Sequence, residues 1–246
     1  MSEAPALQGP SFGYNILTGI FKFEPVGYSE AMARAKGSRN ADYAEERQRL
    51  VAAVKGRLLS PEGAQASFRE LAASAGVSVA TLRHYFATRE ALLTEVMEHM
   101  HREGLPYIHE AATGDHGRLR ESLRWLLEQM VMGWQFGVGS IHAYGLTAGL
   151  GHAELGPAYV KELLEPTLQA AEARLARHIA EGEMRRCDVR HAALALLSPV
   201  LLGLLHQKQL LGAQCRPLDI DRFLEDHLEA FLRAYALPPP DVGAAN

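Results

Sequence analysis

One segment, residues 67–89, constrains the fold most, because it contains two short helical stretches separated by a tight turn. Ser67 is followed three residues later by Glu70, which is the spacing of a capping box at the start of a helix. Gly76 can adopt the positive φ that ends such a helix, and Ser78 is placed to cap the next one. The segment therefore predicts a helix-turn-helix, a unit whose second helix can enter the major groove of DNA.

The second helix of this unit has an apolar side and a polar side. Leu82 and Phe86 are four residues apart and are expected to point into the domain. The small side chain of Ala80 allows close approach to a DNA groove, and Thr88 and Arg89 begin a helix whose first amides suit a phosphate. The outer side chains that can bond base edges or phosphates are those of Thr81, Arg83, His84 and Tyr85. This pattern favours a DNA-reading helix over a purely structural corner.

The run from Gly76 to Leu93 closely resembles the recognition helix and the following helix of the tetracycline-repressor (TetR) family, and the similarity extends over about residues 42–101. The resemblance implies an all-helical homodimer with a DNA-binding domain coupled to a variable, ligand-binding C-terminal domain. Arg83 stands where many members carry tyrosine, so the operator sequence does not carry over from relatives. The residues at positions that the family uses at DNA are Ser78, Val79, Ala80, Thr81, Arg83, His84, Tyr85 and Arg89.

The charge balance limits how the chain can bind DNA. The net charge is −4, and residues 40–101 carry 7 Lys and Arg against 8 Asp and Glu. DNA affinity therefore has to come from local placement of a few cations, with few phosphate contacts per monomer. Useful affinity then requires a dimer on a double-stranded operator.

Composition and patterning favour a helical cytoplasmic protein. Hydrophobic residues make up 48% of the 246 residues and aromatic residues only 7%. The longest apolar run, residues 192–205, is shorter than a membrane span and contains Pro199, so no membrane association is expected. No signal peptide is recognised at the N-terminus. Cys187 and Cys215 do not form a disulfide framework, which favours the reducing cytoplasm.

The N-terminal extension supports two interpretations. Its residues 12–28 are strongly apolar and either pack on the protein or act as a lid or partner-docking element. Arg34, Lys36 and Arg39 form either a basic arm for the minor groove or a solvated linker. The predicted organisation is an extension at 1–40, a helix-turn-helix domain at 41–101, a helical ligand-binding and dimerisation domain at 102–237, and a disordered tail at 238–246.

The C-terminal half is predicted to be helical, with the helix after Arg89 ending at residues 104–106 and a bend at Pro166. Residues 188–211 are apolar on nearly every side, which is typical of a helix covered all round. Together with residues 219–235 they predict a two-fold four-helix interface between subunits. TetR-family proteins pair in this manner.

The middle helices carry aromatic and polar residues that suit an apolar effector pocket with a few polar anchors. Ordinary core packing remains the alternative for each of them. The absence of an acidic cluster favours an apolar, neutral or weakly anionic ligand. Histidine and cysteine spacings predict no metal site, and no cofactor is expected. The candidate ligand-binding residues are Trp125, Met130, Trp134, Phe136, His142, Tyr144, Tyr159 and His206.

The sequence thus predicts a ligand-responsive repressor that binds a palindromic operator as a dimer and is released by a small effector. An activator of the same fold would have the same sequence pattern. A second alternative is an interaction module whose N-terminal extension recruits a partner. An enzyme is not expected, because the chain has no nucleophile–base pair, phosphate loop or paired-carboxylate motif.

Overall fold

The fold is all-helical in the part of the chain that the structure describes, which confirms the predicted fold class. The computed structural model describes residues 38–60, 63 and 66–238. The N-terminal α-helices are α1 (Ser38–Leu58), α2 (Phe68–Ser74), α3 (Val79–Phe86) and α4 (Arg89–Thr113). The remaining α-helices are α5 (Leu119–Gly133), α6 (Gly139–Gly149), α7 (Leu155–Tyr159), α8 (Glu165–Ala180), α9 (Val189–Leu204), α10 (Gly212–Cys215) and α11 (Ile220–Tyr235). Segments with π-type hydrogen bonds are π1 (Trp134–Val138), π2 (Val160–Leu164) and π3 (Leu205–Gln209).

The predicted helix-turn-helix is confirmed in α2 and α3. Ser67 and Glu70 form a reciprocal capping box at the start of α2. Gly76 has φ of 69° in the turn. The Ser78 hydroxyl accepts a hydrogen bond from the Thr81 amide at 3.0 Å, which satisfies an otherwise free amide at the start of α3. These local bonds set the angle at which α3 leaves the turn.

Helix α4 is longer than the sequence pattern predicted. It continues through Pro106 to Thr113, so the predicted end at residues 104–106 is wrong. A proline within a helix removes one backbone hydrogen bond. The free carbonyl groups at the C-terminal end of α4 are satisfied from outside the helix, because Arg174 and Arg177 of α8 donate to the carbonyls of Glu110, Ala111 and Thr113. The predicted domain boundary at 101/102 therefore falls inside one continuous helix.

The C-terminal half contains two interruptions of regular α-helix, one at Gly137 and one just before Pro166. Gly137 has φ of 98° and kinks the chain between α5 and α6 within π1. The predicted bend at Pro166 is replaced by π2, and Pro166 stands in the first turn of α8, where its missing amide is tolerated.

Helix α9 passes through Pro199 without interruption, as the prediction of one helix over residues 188–211 requires. With π3 it forms a helix from Val189 to Gln209 whose length and composition would allow it to cross a membrane, and 33% of its apolar part is buried in this chain. A single helix of this kind is weak evidence for a membrane span, because core helices of other proteins are as long and as apolar. The helix contacts α8 and α11.

The buried side chains form two clusters. The first joins α1–α4 to α6 and α7, because Ile141, Tyr144, Leu155 and Tyr159 pack with the core of the helix-turn-helix. The second joins α5, α8, α9 and α11. The DNA-binding region therefore shares its core with α6 and α7, which carry three of the eight predicted effector residues, His142, Tyr144 and Tyr159.

Several predictions lie outside the described residues. They concern the apolar segment 12–28, the side chains of the predicted basic arm, and residues 239–246 of the predicted tail. The division into domains remains a prediction.

Candidate DNA-binding surface and effector site

The outer face of α3 is polar and accessible. Leu82 and Phe86 are buried and anchor α3 to the core, as predicted from their four-residue spacing. Of the predicted DNA-contacting residues, Val79 and Tyr85 are half-buried. Those that are exposed are Ser78, Ala80, Thr81, Arg83, His84 and Thr88. The hydroxyl, guanidinium and imidazole groups of this face are available to base edges and phosphates.

Helix α1 clamps the C-terminal end of α3 through two residues that sequence reasoning missed. Arg47 donates from Nη1 to the Tyr85 carbonyl at 2.6 Å and from Nη2 to Glu95 Oε1 at 2.6 Å. One turn earlier, the ring of Tyr43 stacks on Tyr85 with centroids 4.7 Å apart. The spacing of four residues, which places Tyr43 and Arg47 on one face of α1, was the signal available in the sequence.

Arg89 points inward, unlike the other predicted DNA contacts. Its Nε donates to the Ala66 carbonyl at 3.0 Å, and its Nη1 donates to the Tyr144 hydroxyl at 2.8 Å. The guanidinium also lies over the Tyr144 ring, 5.4 Å from its centroid. Arg89 thereby joins the start of the helix-turn-helix to α6.

Three predicted effector residues come together around α6. The indole of Trp134 is buried, stacks parallel to His142 and donates from Nε1 to Gln209 Oε1 at 2.7 Å. A hydrogen bond of 2.8 Å joins His142 Nδ1 to the Tyr159 hydroxyl. Glycines of α6 make room for the two larger rings, since a Cβ at Gly139 or Gly145 would overlap Trp134 or Tyr159, respectively.

This cluster of Trp134, His142, Tyr159 and Gln209, the aromatic cluster, is electrically neutral. Burial lowers the pKa of His142 to about 4, so its imidazole is uncharged at neutral pH. Burial also raises the pKa of the Tyr159 hydroxyl above its usual range, which keeps that group protonated. The polar atoms of the cluster are therefore neutral donors and acceptors among aromatic surfaces.

The other predicted effector residues lie elsewhere. Tyr144 is buried but faces Arg89. Trp125 stacks on His116 with centroids 3.6 Å apart, and Met130 packs half-buried on the second core. Phe136 is 58% exposed, and His206 is exposed beside Gly212. The structure thus groups Trp134, His142 and Tyr159 and separates them from Trp125, Phe136 and His206.

A buried polar network in α8 was not predicted. Arg174 is fully buried and donates to the Ala111 and Glu110 carbonyls of α4 and to the Ser122 hydroxyl of α5. Ser122 is in turn bonded to His178 Nε2 at 2.9 Å. The network ties the end of α4 to α5 and α8, and a lone Arg in an amphipathic helix gave no sequence signal for it.

The network includes three groups with metal-ligand chemistry, namely His178, Glu181 and Glu183. Glu183 already accepts hydrogen bonds from Arg118 Nε at 2.7 Å, the Leu119 amide and His178 Nδ1. These donors occupy the lone pairs that a metal would need. We therefore interpret the group as a structural hydrogen-bond cluster.

A capped helix-turn-helix fused through one long helix to a helical C-terminal domain defines the class of one-component DNA-binding regulators. Residues 56–96 match the family described as bacterial regulatory proteins, tetR family. Residues 139–237 match the AefR-like transcriptional repressor, C-terminal domain. Together the two matches cover more than half of the chain, and the chain belongs to the TetR family of transcriptional regulators.

Solved structures support the same fold. A structure assigned to the TetR family from Mesorhizobium loti is 19% identical, covers 79% of this chain and 98% of its own, and has a TM-score of 0.66. A regulator from Saccharomonospora viridis in complex with choline is 17% identical, with coverages of 79% and 100% and a TM-score of 0.61. FadR from Bacillus subtilis in complex with stearoyl-CoA is 17% identical, with coverages of 77% and 97% and a TM-score of 0.54. The curated proteins include no significant match.

Proposed function

We propose that this chain is a cytoplasmic, ligand-responsive transcriptional repressor that binds a palindromic operator as a homodimer. A small, largely apolar effector releases it from DNA. The observation that carries this proposal is the exposed face of α3, which presents Thr81, Arg83 and His84 on a helix anchored by buried Leu82 and Phe86. A helix that served only as a corner would not require this combination of base-reading groups.

The coupling between effector and DNA is proposed to run through α6. This helix carries His142 in the aromatic cluster and, two residues later, Tyr144 at the hydrogen bond to Arg89. A shift or rotation of α6 that accommodates a ligand would change the position of Tyr144 and hence of Arg89 and the start of α2. The effector can weaken operator binding only as much as the operator weakens effector binding.

The aromatic cluster favours a neutral, apolar effector with one or two hydrogen-bonding groups. Its members include no formal charge at neutral pH, because His142 is deprotonated and Tyr159 is protonated. A cationic ligand would find no carboxylate among these residues to replace its water. Thermal-shift titrations that favour multivalent cations over neutral aromatic compounds would contradict this assignment.

Dimerisation is proposed through α9 and α11. Leu194 and Leu202 of α9 are 38% and 65% exposed, on the side of the helix that does not pack on α8 and α11. Large exposed leucines on an apolar helix favour a protein partner, and a second copy gives the two-fold symmetry that a palindrome requires.

The proposal is tested by capturing fragments of host DNA with the purified protein and transcribing the captured promoters in vitro. We expect transcript yield to fall as protein is added. A rise in transcript would make the chain an activator. Failure of the folded protein to capture any fragment more than bulk DNA would contradict DNA binding itself.

A further inference from the structure

Three aromatic rings meet at the outer edge of the helix-turn-helix, two from α3 and one from α1. Tyr43 of α1 stacks on Tyr85 with centroids 4.7 Å apart and an angle of 26° between planes. Tyr43 and His84 meet at 86° with centroids 5.9 Å apart, and His84 meets Tyr85 at 80° with centroids 5.2 Å apart. Each ring therefore contacts the other two, in the stacked and edge-to-face geometries that aromatic pairs prefer.

His84 depends on this contact for its orientation. Its side chain is exposed, and within the described part of the chain it makes ring contacts with Tyr43 and Tyr85 and no hydrogen bond. When a complex fixes an exposed side chain that is otherwise free to sample rotamers, the lost conformational entropy weakens binding. A neighbouring ring that restricts the rotamer before binding reduces this entropy loss.

The backbone of α3 is held by a different residue. Arg47 bonds the Tyr85 carbonyl and pairs with Glu95 of α4, while its guanidinium lies 4.8 Å from the centroid of the Phe86 ring. Tyr43 is 37% exposed, contacts the rings of His84 and Tyr85, and also hydrogen-bonds to the Arg47 side chain. Arg47 keeps its bonds to the Tyr85 carbonyl and to Glu95 when the Tyr43 ring is removed, so we expect Tyr43→Ala to free His84 and Tyr85 while the α3 backbone stays in place.

We infer that Tyr43 is a positioning residue for operator specificity, because its ring presets the orientation of His84 and Tyr85 on the recognition face. The inference rests on the proposed function, in which α3 reads DNA. The residue itself lies on α1 and outside the helix-turn-helix, and its role is exerted through the ring contacts with α3.

The test compares Tyr43→Ala and Tyr43→Phe with the wild type, using full-length protein and the operator that the wild type selects. Tyr107→Ala is the matched control, since Tyr107 is 68% exposed on α4 and makes no ring contact within the described residues. Affinity is measured by fluorescence anisotropy for the operator, for its single-base variants and for non-specific DNA. The His84→Ala variant and the Tyr43→Ala/His84→Ala double variant complete a thermodynamic cycle.

We expect Tyr43→Ala to weaken operator binding by about three- to tenfold and to leave non-specific DNA binding unchanged. Base discrimination should weaken at the same base pair in each half-site as in His84→Ala. The loss in the double variant should be smaller than the sum of the two single losses, because part of the Tyr43 contribution is exerted through His84. Tyr43→Phe, which keeps the ring, and Tyr107→Ala should bind within about twofold of the wild type.

Additive losses in the cycle would overturn the positioning role, because they would show that Tyr43 and His84 act independently. A uniform loss on all DNA sequences would also overturn it and would indicate a direct phosphate contact by the Tyr43 hydroxyl. A wild-type protein that selects no operator would overturn the proposed function as well. Whether the wild type selects an operator therefore distinguishes failure of the proposed function from failure of the positioning role alone.

Discussion

Arg89 Nη1 donates a hydrogen bond to the Tyr144 hydroxyl across 2.8 Å, and this bond joins the first residue of α4 to the middle of α6. The same guanidinium binds the Ala66 carbonyl just ahead of α2. The side chain of Arg89 thus connects the helix-turn-helix with α6, the helix that carries His142 of the aromatic cluster. This relationship gives the proposed coupling a specific contact that can be removed.

Replacing Tyr144 with phenylalanine removes the acceptor and keeps the ring. We expect the free energy of unfolding to fall by about 1 kcal/mol, because a partly buried donor loses its partner. Amide hydrogen exchange at residues 66–71 should become faster. Urea denaturation and exchange mass spectrometry measure both effects. Tyr107→Phe, at a tyrosine that is 68% exposed, is the control, and an equal effect there would contradict the assignment.

His142, the half-buried histidine of the aromatic cluster, predicts a pH dependence of stability. The folded pKa of His142 is about 4 and lies below its ordinary value of 6.5, so the unfolded chain binds a proton that the folded chain rejects. The stability from neutral His142 is present above about pH 6.5 and is lost as the pH falls towards 4. Between about pH 7 and pH 5 this loss is about 2 kcal/mol.

The loss is measured by urea denaturation of the wild type and His142→Asn at both pH values. The wild type should lose more stability than the variant by about the stated 2 kcal/mol. Burial also lowers the pKa of His99 and His178, so the difference between the two proteins, and not the total loss, reports on His142. His191→Asn, at an exposed histidine, should behave as the wild type does. Equal losses in wild type and His142→Asn would contradict the prediction.

Ala87 joins α3 to α4 with φ of 45°, a conformation that a residue with a Cβ rarely adopts. Ala87→Gly should therefore stabilise the protein by about 1 kcal/mol, although glycine usually destabilises. The matched control is Ala176→Gly at an exposed position inside α8, which should destabilise by about 1 kcal/mol. Thermal denaturation measures both, and a loss of stability in Ala87→Gly would refute the prediction.

The dimer proposal predicts that Leu202→Glu, at a residue that is 65% exposed on α9, places a charge in the subunit interface. Sedimentation equilibrium should show dissociation to monomers, and operator binding should weaken because one monomer makes few phosphate contacts. Leu150→Glu is the control, because Leu150 is 79% exposed outside α9 and α11. A Leu202→Glu protein that remains a dimer would place the interface elsewhere.

The helix-turn-helix could be predicted almost residue by residue. Its signals are local: the pairing of Ser67 with Glu70, the turn at Gly76, and the cap at Ser78 act within a few residues. Helix ends that depend on distant partners were predicted less well. The carbonyls of the last turn of α4 are bonded by Arg174 of α8, which lies more than sixty residues away in the sequence.

For the candidate effector residues, too, local features could be predicted and contacts with distant residues could not. Their aromatic and polar character could be predicted, and Trp134, His142 and Tyr159 do meet around α6. The separate location of Trp125 could not, because periodicity assigns a residue to a helix face without naming the helix that it faces. The inward direction of Arg89 likewise depends on Tyr144, which is 55 residues further along the chain.

The central claim is that the outer face of α3 reads a specific operator. The most direct test is selection of bound sequences from a random double-stranded DNA library at near-physiological salt. The proteins compared are the wild type, Arg83→Ala and, as a control, Arg186→Ala. Arg186 is an exposed arginine between α8 and α9. The wild type and Arg186→Ala should enrich one palindrome whose half-sites lie about one helical turn apart. Arg83→Ala should bind that palindrome more weakly by about 1–3 kcal/mol or lose a base preference in each half-site. No enrichment by folded, dimeric wild type, or unchanged affinity and preference in Arg83→Ala, would contradict the account.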